Sequence, residues 1–436
     1  MWLNNPVSLS REILRLAVPA FGALIAEPLF LLVDTAVVGH LGTTSLAGLG
    51  IASGILLTIV GVFVFLAYGT TSVVSRKIGA GDERGALEDG MDGIWLSVVL
   101  GAVACAGTMY FSSQLVAAFG ASQAVAAEGS KYLAISALGI PPMLVVLATT
   151  GVLRGLLDTV TPLVVTSTGF TVNAILSILF VHPLGFGIAG AAWATVLAQT
   201  GMGIALLAVV IAHARRQQAR LSFNPLGVLQ AGIGGIPLLV RTLALRSVLL
   251  LTTWAAANFG DEPLAAHQVA MTIWSTLAFA LDALAIAAQS LTGRDIGAGN
   301  YSHARSLMDT LVKWGLGYGA ILALGIVALH QILPLAFTSD AEVQAILAVI
   351  LIIVAVGQPI ASVAYVLDGV LIGAGDARWL AKAQVGILAA YLPMVLFIRT
   401  DPNSQLTWLW IAYNVFMALR AGVLYVRSRQ DAWMQN

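Results

Sequence analysis

Arg76-Lys77-Ile78-Gly79-Ala80-Gly81-Asp82 and Arg294-Asp295-Ile296-Gly297-Ala298-Gly299-Asn300 are one loop written twice, 218 residues apart, in a chain that is otherwise mostly apolar. The same offset carries Gly42 onto Gly260, Leu46-Ala47 onto Leu264-Ala265, and Gly139 and Pro141 onto Gly357 and Pro359. It also carries Gly151-Val152-Leu153, Gly155 and Asp158 onto Gly369-Val370-Leu371, Gly373 and Asp376, so it holds from residue 42 to residue 158 without net insertion. Duplication on this scale in an apolar chain points to two helical bundles with a site where they face each other.

Composition sets the solvent. With 59% hydrophobic and 10% charged residues and a mean hydropathy of +0.92, an ordinary soluble enzyme of 436 residues is excluded. The formal net charge is zero and no basic run is long enough for a nucleic-acid partner. The single cysteine, Cys105, has no intramolecular disulfide partner. The first apolar segment is long enough to span a membrane, so it reads as a retained helix rather than a cleaved signal peptide.

A hydrocarbon core of about 30 Å takes about 20 helical residues. Twelve runs meet that length: 13–38, 46–73, 91–112, 130–152, 161–183, 188–212, 231–257, 264–290, 312–334, 343–371, 380–398 and 406–427. The chain is therefore expected to be an all-α polytopic membrane protein, with lipid as its solvent. Arg11, Arg15, Arg76, Lys77, Arg84, Arg154, Arg215, Arg216, Arg220, Arg294, Arg305, Lys313, Arg378, Lys382, Arg427 and Arg429 fall at the termini or in alternate loops. The opposite loops hold Lys131 and Arg399. Both termini are thus expected in the cytoplasm. Each repeat has an even number of spans, which makes the repeats parallel and relates them about the membrane normal. Residues 1–213 form a first six-span lobe and 228–436 a second. Between them, the polar segment Ala214 to Gly227 is the expected linker, free to let the lobes rock.

An ionisable side chain at mid-membrane costs about 2.5–3.5 kcal/mol on insertion scales, so each needs a reason. Those singled out are Glu27, Asp34, Arg246, His267, Asp282 and Asp368. Asp34 lies about five residues from the outer end of span 1, in a span with no basic residue near enough to neutralise it. Apolar surroundings disfavour its charged form, which suits a group that takes up and releases a proton. The alternative is an Asp hydrogen-bonded to backbone or to Asn173 with no transport role. Glu27 stands two helical turns below on nearly the same face, followed by Pro28, where a kink is expected. It is either a second acidic station or a group facing a hydrated cavity. Arg246, Asp282 and Asp368 read as a self-compensating cluster in the second lobe, either a structural ion-pair network or a group with a coupling-ion or gating role.

His267 is read as a packing or hydrogen-bonding residue near the outer interface. Asn173, Gln199, Gln289 and Tyr365 are neutral polar groups suited to bridging helices or touching substrate. Gly79-Ala80-Gly81 follows no strand and is no dinucleotide fingerprint. It reads as a helix end and tight turn. No P-loop, metal-ligand cluster or nucleophile–base set is visible, so neither an enzyme nor an ATP-driven pump is expected. The costly residues break the repeat: Asp34 corresponds to Thr252, Asp282 to Val64 and Asp368 to Thr150.

The chain resembles the multidrug and toxic compound extrusion (MATE) family, and within it the DinF-type branch. In the first half this rests on Val33-Asp34-Thr35-Ala36-Val37-Val38-Gly39-His40-Leu41-Gly42, Gly79-Ala80-Gly81, Gly151-Val152-Leu153-Arg154-Gly155 and Gly187-Ile188-Ala189-Gly190-Ala191-Ala192-Trp193-Ala194-Thr195. The second half adds Ala265-Ala266-His267-Gln268, Leu281-Asp282 and Leu367-Asp368-Gly369-Val370-Leu371-Ile372-Gly373-Ala374. The resemblance implies two six-helix bundles around a central cleft, and export of amphipathic organic compounds in exchange for H⁺ or Na⁺. It implies that Asp34 is the protonated group of the first lobe, that Asn173 is the fifth-span Asn, and that Asp368 is the tenth-span acid. Relatives often carry an Asp four residues after that Asn, where this chain has Ser177. The seventh-span Glu of some branches is missing here, leaving Arg246 as the charge expected inside that helix.

The expected function is therefore cation-coupled antiport with H⁺ as the coupling ion, Na⁺ remaining open, and no cofactor. Asp34 and Glu27 are the candidate proton-coupling residues. Asp34, Asn173, Ser177, Gln199 and Tyr365 are the candidate cleft lining, in a monomer of the plasma membrane. A flippase for a lipid-linked precursor, or an exporter of an organic anion drawn by Arg246, fits the same fold. A major-facilitator permease would carry G-x-x-x-D-R-x-G-R-R after span 2, where this chain has Gly79-Ala80-Gly81-Asp82-Glu83-Arg84.

Overall fold

Each apolar run becomes helix, because in lipid the backbone must satisfy its own hydrogen bonds. The computed structural model describes residues 6–398 and 404–434, and of residues 6–8, 27 and 29–32 the backbone alone. The helices are α1 (Pro6–Gly39), α2 (Thr43–Val62), α3 (Phe65–Gly79), α4 (Glu83–Tyr110), α5 (Ser112–Ala117), α6 (Gln123–Ser136), α7 (Ile140–Gly155) and α8 (Val160–Val181). They continue with α9 (Gly187–Arg216), α10 (Pro225–Ala257), α11 (Asp261–Gly297), α12 (Tyr301–Leu329), α13 (Leu333–Phe337), α14 (Ala341–Ala374), α15 (Ala377–Leu396) and α16 (Gln405–Arg429). No strand occurs among the described residues. Eleven segments of the described residues are long and apolar enough to cross a membrane. The 34-residue α1 covers the remaining predicted span.

The 218-residue offset is also written in the backbone. It carries the end of α1 onto that of α10, the starts of α2, α4, α6 and α9 onto those of α11, α12, α14 and α16, and the end of α3 onto that of α11. Gly42 and Gly260 start their helices with φ of 117° and 120°, and Gly81 and Gly299 turn with φ of 77° and 71°. These are conformations that glycine adopts without strain. Close packing repeats too. A Cβ on Gly151 would meet the Ala67 carbonyl oxygen at 2.5 Å, and one on Gly369 would meet that of Ala285, the same position one repeat on, at 2.3 Å. The Gly-Val-Leu motifs are therefore helix–helix contact faces as well as approaches to a turn.

Two breaks distinguish the halves. Span 2 is divided into α2 and α3 around Phe63 and Val64, and span 4 into α6 and α7 by a 3₁₀ turn at Ala137–Gly139. Their counterparts α11 and α14 run unbroken for 37 and 34 residues. Pro141-Pro142 removes two successive backbone donors at the start of α7, whereas α14 absorbs Pro359 alone.

The described residues divide into two compact units, Val18–Ile236 and Met1–Ala17 together with Pro237–Asn436. This differs from a division at the linker, because both long helices α1 and α10 are shared. The division falls within two residues of Pro19 in α1 and at Pro237 in α10, positions 218 apart. Rather than hanging free, the linker belongs to the Val18–Ile236 unit. One terminal nitrogen of Arg220 donates to both carboxylate oxygens of buried Asp92 on α4 at 3.0 Å. Trp95 Nε1 donates to the Leu221 carbonyl at 3.1 Å, and its ring meets Phe223 edge-on at 5.6 Å. In the other unit Glu12 on α1 pairs with Arg294 at the end of α11.

Candidate functional site

In the Val18–Ile236 unit, Asp34 sits near the end of α1 and is 4% exposed. Ser177 Oγ on α8 donates to its Oδ1 at 2.9 Å. The Tyr132 hydroxyl on α6 donates to Oδ2 at 3.3 Å. Asn173 lies one turn before Ser177 on the same face of α8, and its amide donates to Thr195 Oγ1 on α9 at 3.3 Å. Asn173 Oδ1 is buried without a hydrogen-bond partner. Four helices thus build a polar pocket around one carboxylate whose hydrogen-bond partners are neutral hydroxyls. Among the described residues Asp34 enters no ion pair.

Asp34, Asn173 and Ser177 come together as grouped in the sequence. Tyr132 and Thr195 join them unannounced. The hydrogen bond to Asp34 that the sequence suggested for Asn173 is donated instead by Ser177. Gln199 lies elsewhere on α9, with Oε1 at 2.1 Å from where a Gly139 Cβ would stand. Glu27 is in α1, but its side chain lies outside the described residues.

The other unit holds a different arrangement. Asp368 on α14 is 4% exposed and accepts from Arg241 Nε on α10 at 3.0 Å. A terminal nitrogen of Arg241 closes a second bond to the same carboxylate, giving a fork. Arg420 Nη2 on α16 reaches it at 3.1 Å, and the Arg420 guanidinium lies over the Tyr365 ring, 5.4 Å from its centroid. Half-buried Asp282 on α11 acts electrostatically on Tyr365 together with both arginines.

This corrects the expected cluster. Arg246 is exposed on α10 and makes no ion pair among the described residues. The cations on Asp368 are Arg241 and Arg420, buried at 6% and 3% exposure. Both lie within predicted spans, so the criterion that singled out Arg246 applies equally to them; position alone could have found them, though not their shared partner. Tyr365 belongs with this charge group rather than with Asp34. His267 is fully buried, with Nε2 3.2 Å from Thr253 Oγ1 and its ring against Trp410. Gln289 is buried, and its carbonyl oxygen would meet a Cβ on Gly373 at 2.2 Å. Among the described residues no group of three or more His, Cys, Asp or Glu could hold a metal.

The pseudo-symmetric copy of the Asp34 pocket carries no carboxylate and is largely aromatic. Thr252 and Tyr391 stand where Asp34 and Asn173 stand, with their hydroxyls 2.8 Å apart. Tyr413 replaces Thr195 and packs on Trp274, Trp410 and Phe416. Aromatic volume fills what the first unit leaves polar.

Comparison with known proteins places this architecture. The MatE family model matches residues 19–179 and 237–394, the two repeats. The chain is 32% identical over 442 residues to Protein DETOXIFICATION 44, chloroplastic, of Arabidopsis thaliana, covering 97% of this chain and 83% of that protein. It is 28% identical over 424 residues to the DNA damage-inducible protein F of Escherichia coli, covering 95% and 90%. In structure it resembles the Vibrio cholerae MATE transporter VcmN in its bent form, with a TM-score of 0.88 at 24% identity over 98% of each chain. A MOP superfamily transporter from Pyrococcus furiosus gives a TM-score of 0.87 at 20% identity, over 98% of this chain and 97% of that one. The fold and both halves of the sequence agree: this chain belongs to the MatE family of multidrug and toxic compound extrusion transporters.

Proposed function

We propose that this chain is a secondary exporter of amphipathic, often cationic, organic compounds, driven by exchange with H⁺ through Asp34. The observation that carries this reading is the Asp34 pocket: a buried carboxylate hydrogen-bonded by the neutral hydroxyls of Ser177 and Tyr132. Either protonation state can be accommodated there. The carboxylate accepts from both hydroxyls, and the acid can donate to one of those hydroxyl oxygens in turn. The group can therefore gain and lose charge without stranding a buried cation. A cationic substrate favours the charged form and a proton removes it, so the two compete for one site. That competition supplies the differential affinity on which alternating access depends.

Further support comes from the relatives, among them a probable multidrug resistance protein NorM of Thermotoga maritima, 25% identical over 421 residues. The likeness to the protein F of Escherichia coli supports the DinF-type branch. We place the chain in the cytoplasmic membrane with both termini inside, on the distribution of its basic residues. The test is Asp34→Asn in proteoliposomes. The variant is expected to fold and insert but to lose efflux driven by a pH gradient; wild-type transport would overturn the assignment.

One observation favours a second reading on the same fold. The exposed, unpaired guanidinium of Arg246 would draw an anionic substrate. Under that reading, Arg246→Gln abolishes transport of an organic carboxylate; under the first it leaves efflux of a cation intact.

A further inference from the structure

A shallow, open groove of about 520 Å³ follows one face of α16, lined by Val415, Ala418, Leu419, Gly422, Val423 and Val426, with Trp379 of α15 on its flank. Ala418 and Gly422 leave a dip between the larger Val415, Leu419, Val423 and Val426, and a Cβ on Gly422 would meet nothing within 4 Å. From Val415 to Val426 the groove is about 16 Å long at 1.5 Å per residue. That is about half of a 30 Å hydrocarbon core, the depth of one leaflet's acyl chains.

Its flank at Trp379 is polar and fixed. Arg427 lies over the Trp379 ring at 5.2 Å and donates from Nε to Asp376 at 2.7 Å, tying the start of α15 to the end of α16. Trp379 is thereby held where tryptophan is favoured, at the level of lipid headgroups. Beside it Arg378 and Lys382 are exposed, four residues apart on one face of α15, and neither makes an ion pair among the described residues. They occupy the first two turns of that helix, where the dipole is already positive and an anion is favoured. An apolar channel one leaflet deep, ending at two unneutralised cations, has the chemistry of a lipid with a phosphate headgroup.

We propose that this groove binds an anionic glycerophospholipid, with one acyl chain along Ala418 and Gly422 and the phosphate held by Arg378 and Lys382. The site is separate from Asp34 and from the Asp368 cluster, and it does not depend on the transported compound.

The test uses the full chain in phosphatidylcholine nanodiscs carrying a minor fraction of brominated-chain lipid, with Trp379→Phe identifying the Trp379 fluorescence. Brominated phosphatidylglycerol is expected to quench Trp379 at about thirtyfold lower fraction than brominated phosphatidylcholine, the worth of two surface cations. The doubly substituted Arg378→Gln, Lys382→Gln chain should lose this preference, and Gly422→Leu should reduce quenching by both lipids. Equal quenching by the two lipids in the unaltered chain would mean annular lipid only and would overturn the proposal. So would a preference that survives the double substitution. Displacement of phosphatidylglycerol by soluble glycerol phosphate would assign the cations to a free phosphate compound instead. Trp379 shielded from both lipids in a dimeric chain would assign the groove to a second copy.

Discussion

Asp34 in one unit and Asp368 in the other are both buried, and they are held in opposite ways. Asp34 rests on two neutral hydroxyls. Asp368 is gripped by Arg241 and Arg420. Loss of charge at Asp34 leaves no uncompensated partner, whereas loss of charge at Asp368 would strand two guanidinium groups in low dielectric. One arrangement suits a group that cycles between forms; the other suits a permanent tie between α10, α14 and α16. Duplication supplied both frames, and the chemistry was placed at different points in each. The counterparts of Arg241, Asp368 and Arg420 in the first unit are Ala23, Thr150 and Met202.

If that contrast is right, the largest stability effect belongs to Asp368. Asp368→Asn should cost about 3–5 kcal/mol, the penalty for breaking a buried ion pair from one side, seen as a sharply lowered midpoint of thermal unfolding in detergent. Asp34→Asn should unfold close to the unaltered chain. Comparable melting of the two variants would erase the distinction. Ser177→Ala removes one hydrogen bond to a charged acceptor and should cost about 1.5–3 kcal/mol by the same measurement. An unchanged midpoint would mean that Ser177 does not hold the carboxylate.

A third experiment moves the acid. Thr252→Asp places a carboxyl at the counterpart of Asp34, within reach of the Tyr391 hydroxyl. Combined with Asp34→Asn it should fail to restore efflux, because Val395 and Tyr413 stand there in place of Ser177 and Thr195. Restored transport would show the units to be interchangeable. The smallest effect is expected at the linker. Arg220→Ala releases a half-exposed bond to Asp92 worth about 1 kcal/mol or less, read as faster proteolytic cutting between residues 214 and 227.

Most of the frame was legible in the sequence, because apolar run length and a constant offset are local properties. The helix ends bear this out: Gly39 and Ala257, and Glu83 and Tyr301, fall 218 apart. The breaks were less legible. Pro141-Pro142 signals one of them, while the division around Phe63 and Val64 has no proline to mark it. Asp34 stood out as an acid with no basic residue near enough in its span to neutralise it, yet Tyr132, 98 residues away, carries no signal of its partner. Ser177 reads as a lost acid and turns out to be a donor. Arg241 and Arg420 satisfy the same burial argument as Arg246, but pairing across three helices is set by packing. Arg246, the charge expected inside its own helix, is exposed. Which face of a membrane helix is buried depends on its neighbours, and hydropathy does not record them.

Efflux of a fluorescent cation from proteoliposomes, driven either by a pH gradient or by a Na⁺ gradient alone, tests the central claim most directly. Proton coupling through Asp34 predicts that the pH gradient suffices, that the Na⁺ gradient does nothing, and that Asp34→Asn abolishes the response. Transport driven by Na⁺ with no response to pH would contradict it.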